Sequence, residues 1–423
     1  MLDECVKNLI AGKKVLIMGF GREGKSTYRV LKKVGGYSSL AIADLIKQDV
    51  PEKCFSGENY QRAAASYDIV FKSPGVVLSD KSMADKLTSQ TDVVMKCMRD
   101  RMIGITGTKG KSTTTALIYH ALKTNGFNAH LMGNIGIPAF EAAEELACDA
   151  LLVYELSCHQ LEFAKYSPHI GVLLNIYPEH LDHYGSFEAY EAAKKNIYKK
   201  MGKDDFLFCA KEICPDGDFK KTTFSMTDKT ADFYIGDDKG LSGSSLIGIH
   251  NMYNAAIARE VCAAAGLDRD KFNTSLKTFK TLPHRLEMFA EINGVRYFDD
   301  SISTIPETTV QALESIENVG TLLLGGMDRH IDLSVICDYL IKNPVKRIIL
   351  MPDTGKRIYK KLKGNISSEL IEAATLKEAA KIAKAATAPG EACLLSPAAA
   401  SYGFFENFEE RGEKFKKYIL QES

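Results

Sequence analysis

The stretch that most constrains this chain is Ile103-Gly-Ile-Thr-Gly-Thr-Lys-Gly-Lys-Ser-Thr-Thr-Thr115, an apolar run that turns through closely spaced glycines into a lysine and a row of hydroxyls. It predicts a strand, a phosphate-binding loop and a helix start. Gly107 and Gly110 can take backbone angles that set several N–H groups around one anion, and the following helix adds its positive N-terminal end. Lys111 supplies a point charge for terminal phosphates, and Ser112 a hydroxyl for a phosphate-bound Mg²⁺. The usual spacing is G-x-x-x-x-G-K-[ST]; here Ile105 stands at the first glycine's place, with Gly104 one position early. The plainer alternative is a surface turn rich in Gly, Lys and Ser. That alternative fits poorly between Met102-Ile-Gly-Ile105 and the amphipathic Ala116-Leu-Ile-Tyr-His-Ala-Leu122, so nucleoside triphosphate binding is expected.

At 423 residues the chain exceeds one ordinary core, and three units are expected. Lys+Arg and Asp+Glu both total 54, so no net charge favours nucleic acid or an anionic membrane surface, and any polyanion site must be local. The ten cysteines are scattered without C-x-x-C pairs, which predicts reduced thiols in a cytoplasmic protein and no cysteine-held metal. No apolar run approaches about 18 residues and the N-terminus lacks the order of a signal peptide, so no membrane insertion is expected.

Lys13-Lys-Val-Leu-Ile-Met-Gly-Phe-Gly-Arg-Glu-Gly24 is a short strand running into Gly19, Gly21 and Gly24 in G-x-G-x-x-G spacing. Ala41-Ile-Ala-Asp44 reads as a second strand ending in an acid about 20 residues on, where a ribose or base contact is expected. Tyr67-Asp-Ile-Val-Phe-Lys-Ser-Pro-Gly75 is a third strand closing on a tight turn. Taken alone, this segment suits an NAD-dependent dehydrogenase as well as any other phosphorylated ligand.

Farther along, Ala150-Leu-Leu-Val-Tyr-Glu-Leu-Ser157 buries Glu155 at a strand end, where its charge needs a partner such as a nucleotide-bound metal. His180, Asp182 and His183 share one loop, a metal-binding loop or a polar turn ahead of a helix. Lys194 and Lys195 lie on the helix Tyr190–Tyr198, by pattern ordinary solvated lysines. Asn251 and Asn254 stand at i, i+3 on a helix start, suited to a base or ribose, with capping by Asn251 as the alternative. From Leu282-Pro-His-Arg285 onward strands alternate with helices again, implying a further parallel sheet.

These pieces, in this order, resemble the Mur ligases of peptidoglycan synthesis, most closely their glutamate-adding branch. The resemblance covers almost the whole chain and rests on Gly107-Thr-Lys-Gly-Lys-Ser-Thr113, Glu155-Leu-Ser-Cys-His-Gln160, Asn175 to His183, Lys194, His250-Asn-Met-Tyr-Asn254, Pro283-His-Arg285, Asp299-Asp-Ser301, Leu395-Ser-Pro-Ala-Ala-Ala-Ser401 and Asn407-Phe408. It implies an α/β protein of three domains: Rossmann-like over 1–98 for a UDP-substrate, a central P-loop domain with a parallel sheet over 99–281 for ATP, and Rossmann-like over 282–423 for an amino acid.

The resemblance further implies an ATP-dependent ligase working through an acyl phosphate, with Lys111, Glu155, His180 and Lys194 as catalytic residues. ATP would meet Gly107, Thr108, Lys109, Gly110, Lys111, Ser112 and Thr113, with Asn251, Asn254, Arg285 and Asp300. Two Mg²⁺ ions would be held by Ser112 and Glu155 and by His180 and a carbamate on Lys194. UDP-N-acetylmuramoyl-L-alanine would meet Gly19, Gly21, Asp44, Ser73, Asn134, Ser157 and Gln160, and glutamate Arg329, Ser401 and Phe408. A monomer with no nucleic-acid partner is expected. The family's Asp-Ser-Lys-Ala-Thr pattern is broken at Ile302, where a lysine assigned to glutamate is missing.

Overall fold

Strands buried on both faces set the architecture. Met102–Thr106 is buried at every position, as is Ile69–Lys72, and Lys14–Met18 at all but its first residue. Such runs are stable only with helices on both sides, which requires parallel strands joined by crossover helices. The computed structural model describes residues 2–133, 138–143, 146–147, 149–235, 246 and 248–421, the side chains of 181 and 182 excepted.

Three sheets result. The first runs Lys53–Phe55, Ser39–Ala43, Lys14–Met18, Ile69–Lys72, Leu87–Thr88, all parallel. The second runs Phe233–Tyr234, Lys220–Ser225, Phe206–Ala210, Ile170–Leu173, Met102–Thr106, Leu151–Glu155, Ala129–Gly133, again all parallel. The third runs Glu287–Ile292, Val295–Asp299, Ala392–Leu395, Val319–Gly326, Arg347–Asp353, Glu369–Glu372, with only its first pair antiparallel. Asn293 and Gly294, both at positive φ, make the two-residue turn of that antiparallel hairpin.

Each sheet reverses its winding at one place, and an open α/β sheet binds ligands where such a reversal leaves a crevice at the strands' carboxyl ends. In the first sheet this lies between Lys14–Met18 and Ile69–Lys72, and in the second between Met102–Thr106 and Ile170–Leu173. The second sheet's register sets Ile105 beside Glu155 and Thr106 beside Leu173. The glycine loop, Glu155 and the segment after Leu173 therefore leave the same edge.

The chain forms two compact units, Met1–Ser244 with Tyr253–Phe279, and Ser245–Met252 with Lys280–Ser423. The first carries two sheets over one shared apolar core, in which Ile17 and Phe71 join Phe140 and Tyr154. The Phe140 N–H donates to Gln90 Oε1 across that core. The second unit carries the third sheet. Cys5 and Cys97 are joined in a disulfide, which corrects the expectation of reduced thiols throughout; the other seven described cysteines are free.

Candidate active site at the phosphate loop

The strand Met102–Thr106 ends at Gly107, and the helix Lys111–Thr124 begins after Gly110, whose φ of 86° is a left-handed angle. A Cβ at Gly110 would lie 2.5 Å from Asn254 Oδ1, so Asn254 packs directly on the loop. Asn175 braces it from the adjacent strand end: its Oδ1 accepts from Thr108 N at 3.1 Å and Lys109 N at 2.8 Å, and its Nδ2 donates to Lys109 O at 3.0 Å. The Thr108 hydroxyl meets Tyr190 OH at 2.9 Å. Asn175 was legible only as part of a longer motif, because its role is a long-range contact.

Lys111 Nζ folds back on its own loop, donating to Gly107 O at 3.0 Å and Thr108 O at 2.9 Å. Burial pushes its pKa down, opposed chiefly by the negative charge of Glu155. Glu155 is fully buried at the end of its strand, and Ser112 is buried in the first helical turn. A hydroxyl and a carboxylate are hard oxygen donors of the kind Mg²⁺ takes. Lys109 forms an ion pair with Glu179 at 3.0 Å.

Lys194 is 1% exposed and its Nζ donates to Gly107 O at 2.6 Å. Burial, reinforced by the charge of Lys111, lowers its pKa to about 7. Lys195, its neighbour, points outward to Glu191 at 3.1 Å. His180 sits at φ 55°, its ring 5.1 Å from that of His159 and 6.3 Å from that of Tyr190. Burial and the neighbouring His183 and His180 push the His159 imidazole down to about 4, so it is neutral at pH 7.

At the first sheet's reversal, Ser73 Oγ donates to Gly19 O at 2.8 Å, and Asp44 accepts from Phe20 N at 2.6 Å and Ile46 N at 2.9 Å. Gly19, Asp44 and Ser73 thus share one edge. Gly24 serves packing, since a Cβ there would lie 2.0 Å from Gly19 O, whereas Gly21 has open space. Ser157 and Gln160 satisfy each other as a capping box on the short helix Cys158–Leu161. Asn134 lies outside the described residues.

Asn254 belongs to the first unit, while Asn251, Arg285 and Asp300 belong to the second. Asn251 is the third residue of the helix Ile249–Ala264, not its cap. Asp300 is buried, accepts from Ser396 Oγ at 2.7 Å and Leu286 N at 3.2 Å, and burial raises its pKa to about 7. Arg329 Nη2 donates to Thr304 O at 2.9 Å. Ser401 lines a cavity of about 370 Å³ at the ends of the third sheet's strands, together with Gly326, Phe404 and Arg411. Arg411 had no signal in the charged run Glu409-Glu-Arg-Gly-Glu-Lys414. It is 1% exposed, and its guanidinium donates to Ser301 O, Ser301 Oγ and Ala399 O at 2.8–3.0 Å. Ser301 Oγ in turn donates to Phe408 O at 2.8 Å.

Residues 105–262 match the Mur ligase middle domain. The chain is 33% identical to the UDP-N-acetylmuramoylalanine–D-glutamate ligase of Clostridium tetani, covering 98% of each chain, and 32% identical to that of Acetivibrio thermocellus, covering 98% and 97%. Among solved structures it shares the fold of the Thermotoga maritima MurF ligase in complex with ADP, with a TM-score of 0.61, 17% identity and 98% and 96% coverage. The Thermotoga maritima UDP-N-acetylmuramate–alanine ligase MurC gives a TM-score of 0.60 at 18% identity, with 96% and 98% coverage. With sequence identity carried end to end and the phosphate loop built as described, the chain belongs to the Mur ligase family.

Proposed function

We propose that this chain is an ATP-dependent ligase that joins glutamate, as the D-enantiomer, to the lactoyl-alanine carboxylate of UDP-N-acetylmuramoyl-L-alanine in peptidoglycan precursor synthesis. The observation that carries the reading is the end-to-end match to relatives named for that reaction, with 98% of both chains covered. Residues 1–98 would hold the UDP-substrate, 99–281 ATP, and 282–423 glutamate. Its site groups all lie on one chain, which is compatible with action as a monomer, and cytoplasmic action fits nucleotide substrates.

In the mechanism, the loop N–H groups and Lys111 hold the ATP phosphates, and Asn254, packed on Gly110, fixes the loop's shape. Lys111 exchanges its two loop carbonyls for phosphate oxygens, placing a buried positive charge where negative charge builds up. A carboxylate oxygen of the UDP-substrate attacks the γ-phosphorus and ADP leaves. The glutamate amine then attacks the acyl carbon of the resulting acyl phosphate; inorganic phosphate leaves with the C–O bond electrons and the amine gives up a proton. Mg²⁺, when bound, would neutralise the two anions that must meet: Ser112 and Glu155 would hold one ion through oxygens, and the His180 imidazole nitrogen with the oxygens of a carbamylated Lys194 would hold the other. Lys194 suits carbamylation because its buried amine is neutral in a large fraction near pH 7, and only a neutral amine takes up CO₂. The carbamate then offers oxygens where the ammonium offered none.

The second reading, L-glutamate, has one specific observation in its favour. Ile302 stands where the family carries a lysine, is half-buried, and leaves Arg329, Ser303, Thr304 and Ser401 as the polar groups nearest in sequence context. Phosphate release with ATP, Mg²⁺ and UDP-N-acetylmuramoyl-L-alanine, compared across D-glutamate, L-glutamate and D-aspartate, decides between them. Fastest turnover is expected with D-glutamate. Faster turnover with L-glutamate would overturn the enantiomer, and none with any acidic amino acid would overturn the substrate class.

A further inference from the structure

Beside the phosphate loop lies a donor set of which the proposed ligase reaction uses only His180. Cys158 and His159 open the short helix after the strand Leu151–Glu155, and His180 follows the neighbouring strand Ile170–Leu173. One ligand atom from each of these three side chains lies within 4.8 Å of the others. A thiol and two imidazoles are soft to borderline donors, whereas Mg²⁺ takes hard oxygens. Tetrahedral zinc, with Zn–S of about 2.3 Å and Zn–N of about 2.0–2.1 Å, needs donors roughly 3.3–3.6 Å apart, which side-chain shifts of about 1 Å supply.

The surroundings orient the set. Tyr184 OH meets His159 Nδ1 at 3.3 Å and its ring stacks on the imidazole at an interplanar angle of 2°, which leaves Nε2 for a metal. His183, whose ring centroid lies 4.3 Å from that of His159, pairs with Glu162 at 3.2 Å. A hydrogen-bond partner on the other ring nitrogen, as Tyr184 OH is to His159, fixes ring orientation at metal sites. Cys158 is buried, His159 half-buried and His180 exposed, so an ion can enter from the His180 side and keep an open fourth position. The second such cluster among the described residues, His284, Glu287 and Asp299, already has a cation: Lys416 Nζ lies 2.7 Å from Glu287 and 3.7 Å from Asp299.

We propose that Cys158, His159 and His180 form a Zn²⁺-binding site with an open fourth position, and that zinc held there inhibits the enzyme by withdrawing His180 from the Mg²⁺-dependent reaction. On binding, the Cys158 S–H bond breaks, its proton passes to solvent and the sulfur lone pair bonds the metal, with no change of oxidation state. The inhibition half rests on the functional reading of His180; the binding half does not.

Metal-free full-length protein titrated with Zn²⁺ alone by calorimetry should take up one ion per chain at this site. Co²⁺ in its place should give a near-ultraviolet thiolate-to-metal band. Cys158→Ser should abolish the band, and Cys158→Ser and His159→Gln should each weaken Zn²⁺ binding more than about tenfold, the minimum cost of disturbing even an outer partner; Cys54→Ser should change neither. Absence of saturable Zn²⁺ binding, or a band that survives Cys158→Ser, would overturn the site. His159→Gln, at a half-buried position, keeps the test open if Cys158→Ser misfolds. In excess Mg²⁺, zinc should inhibit the unsubstituted enzyme and spare Cys158→Ser; equal inhibition of both would overturn the second half. Absence of ligase activity with every acidic amino acid would count against the functional reading instead, and the calorimetric arm would still decide the zinc site.

Discussion

Lys194 Nζ donates to the carbonyl oxygen of Gly107 at 2.6 Å, the same oxygen that Lys111 reaches from inside the loop at 3.0 Å. Two lysines from separate helices therefore converge on one backbone atom of the phosphate loop. Burial lowers both pKa values, and the charge of Lys111 lowers that of Lys194 further. Lys195, one residue on, shares none of this and forms an ordinary i,i+4 pair with Glu191.

That contrast yields the first prediction. Lys194→Ala should reduce kcat by more than about 100-fold, the scale of one lost electrostatic group at a reacting centre, and added acetate or formate should restore part of it by occupying the carbamate's oxygen position. Lys195→Ala should stay within about 0.5 kcal/mol of the parent in stability, as exposed pairs do, and keep its activity. Equal losses in both variants, without rescue, would remove Lys194 from the chemistry.

Gly110 supports a second prediction. An alanine there meets two separate costs, a left-handed backbone worth about 1–2 kcal/mol and a clash with Asn254 Oδ1. Gly110→Ala should lower Tm and raise the KM for ATP. Gly110→Ala/Asn254→Ala relieves only the clash, so thermal melts should show a partial recovery. A double variant no better than the single one would show that the asparagine does not brace the loop.

Lys194 and Lys195 also mark how far sequence reading reaches. On the helix pattern they are equivalent, and only tertiary packing buries one; the resemblance to a family, not the periodicity, picked it out. The glycine loop and the parallel sheets were legible because local chemistry dictates them, through apolar runs, positive-φ glycines and strand-helix alternation. Ser157 and Gln160 entered only through the resemblance, as substrate contacts, and the structure also joins them in a capping box. The Cys5–Cys97 pairing and the burial of Arg411 were not legible, since each depends on partners about a hundred residues away.

The pH dependence of stability should run downward through the neutral range. Burial raises Glu23 from 4.5 to about 7, with Lys72 opposing, so the folded state holds this proton more tightly than the unfolded chain does. Its contribution is complete below pH 4.5 and is lost as pH rises through about 7. Glu23→Gln keeps the shape without the charge. It should leave stability unchanged near pH 4 and raise it by on the order of 2 kcal/mol at pH 8, measured by urea unfolding. A gain of equal size at both pH values would locate the effect elsewhere.

Arg411 predicts a larger loss. Its guanidinium satisfies Ser301 O, Ser301 Oγ and Ala399 O inside the second unit. Arg411→Met leaves these acceptors buried and unserved and should cost about 3 kcal/mol in unfolding free energy. Arg411→Lys should recover little, because one ammonium cannot reproduce the planar fork.

The last prediction concerns Ile302. Its N–H donates to His284 O at 3.2 Å, so the backbone of this turn is already fixed and a new side chain need not rebuild it. If residue 302 faces the bound amino acid, Ile302→Lys adds a charge-assisted contact worth roughly 1.5–3 kcal/mol to one carboxylate, about 10- to 150-fold in KM. We expect the KM for D-glutamate to fall, the KM for ATP to hold, and the preference over L-glutamate to sharpen, because a third fixed donor distinguishes enantiomers that two cannot. Arg329→Ala should move the other way, raising the KM for glutamate far more than that for ATP. Should Ile302→Lys leave every KM unchanged, residue 302 does not touch the substrate, and the missing lysine has no counterpart to replace. Should it instead favour L-glutamate, the site orients its substrate opposite to the proposal, and the parallel enantiomer assay would already have shown the unsubstituted enzyme turning over L-glutamate faster.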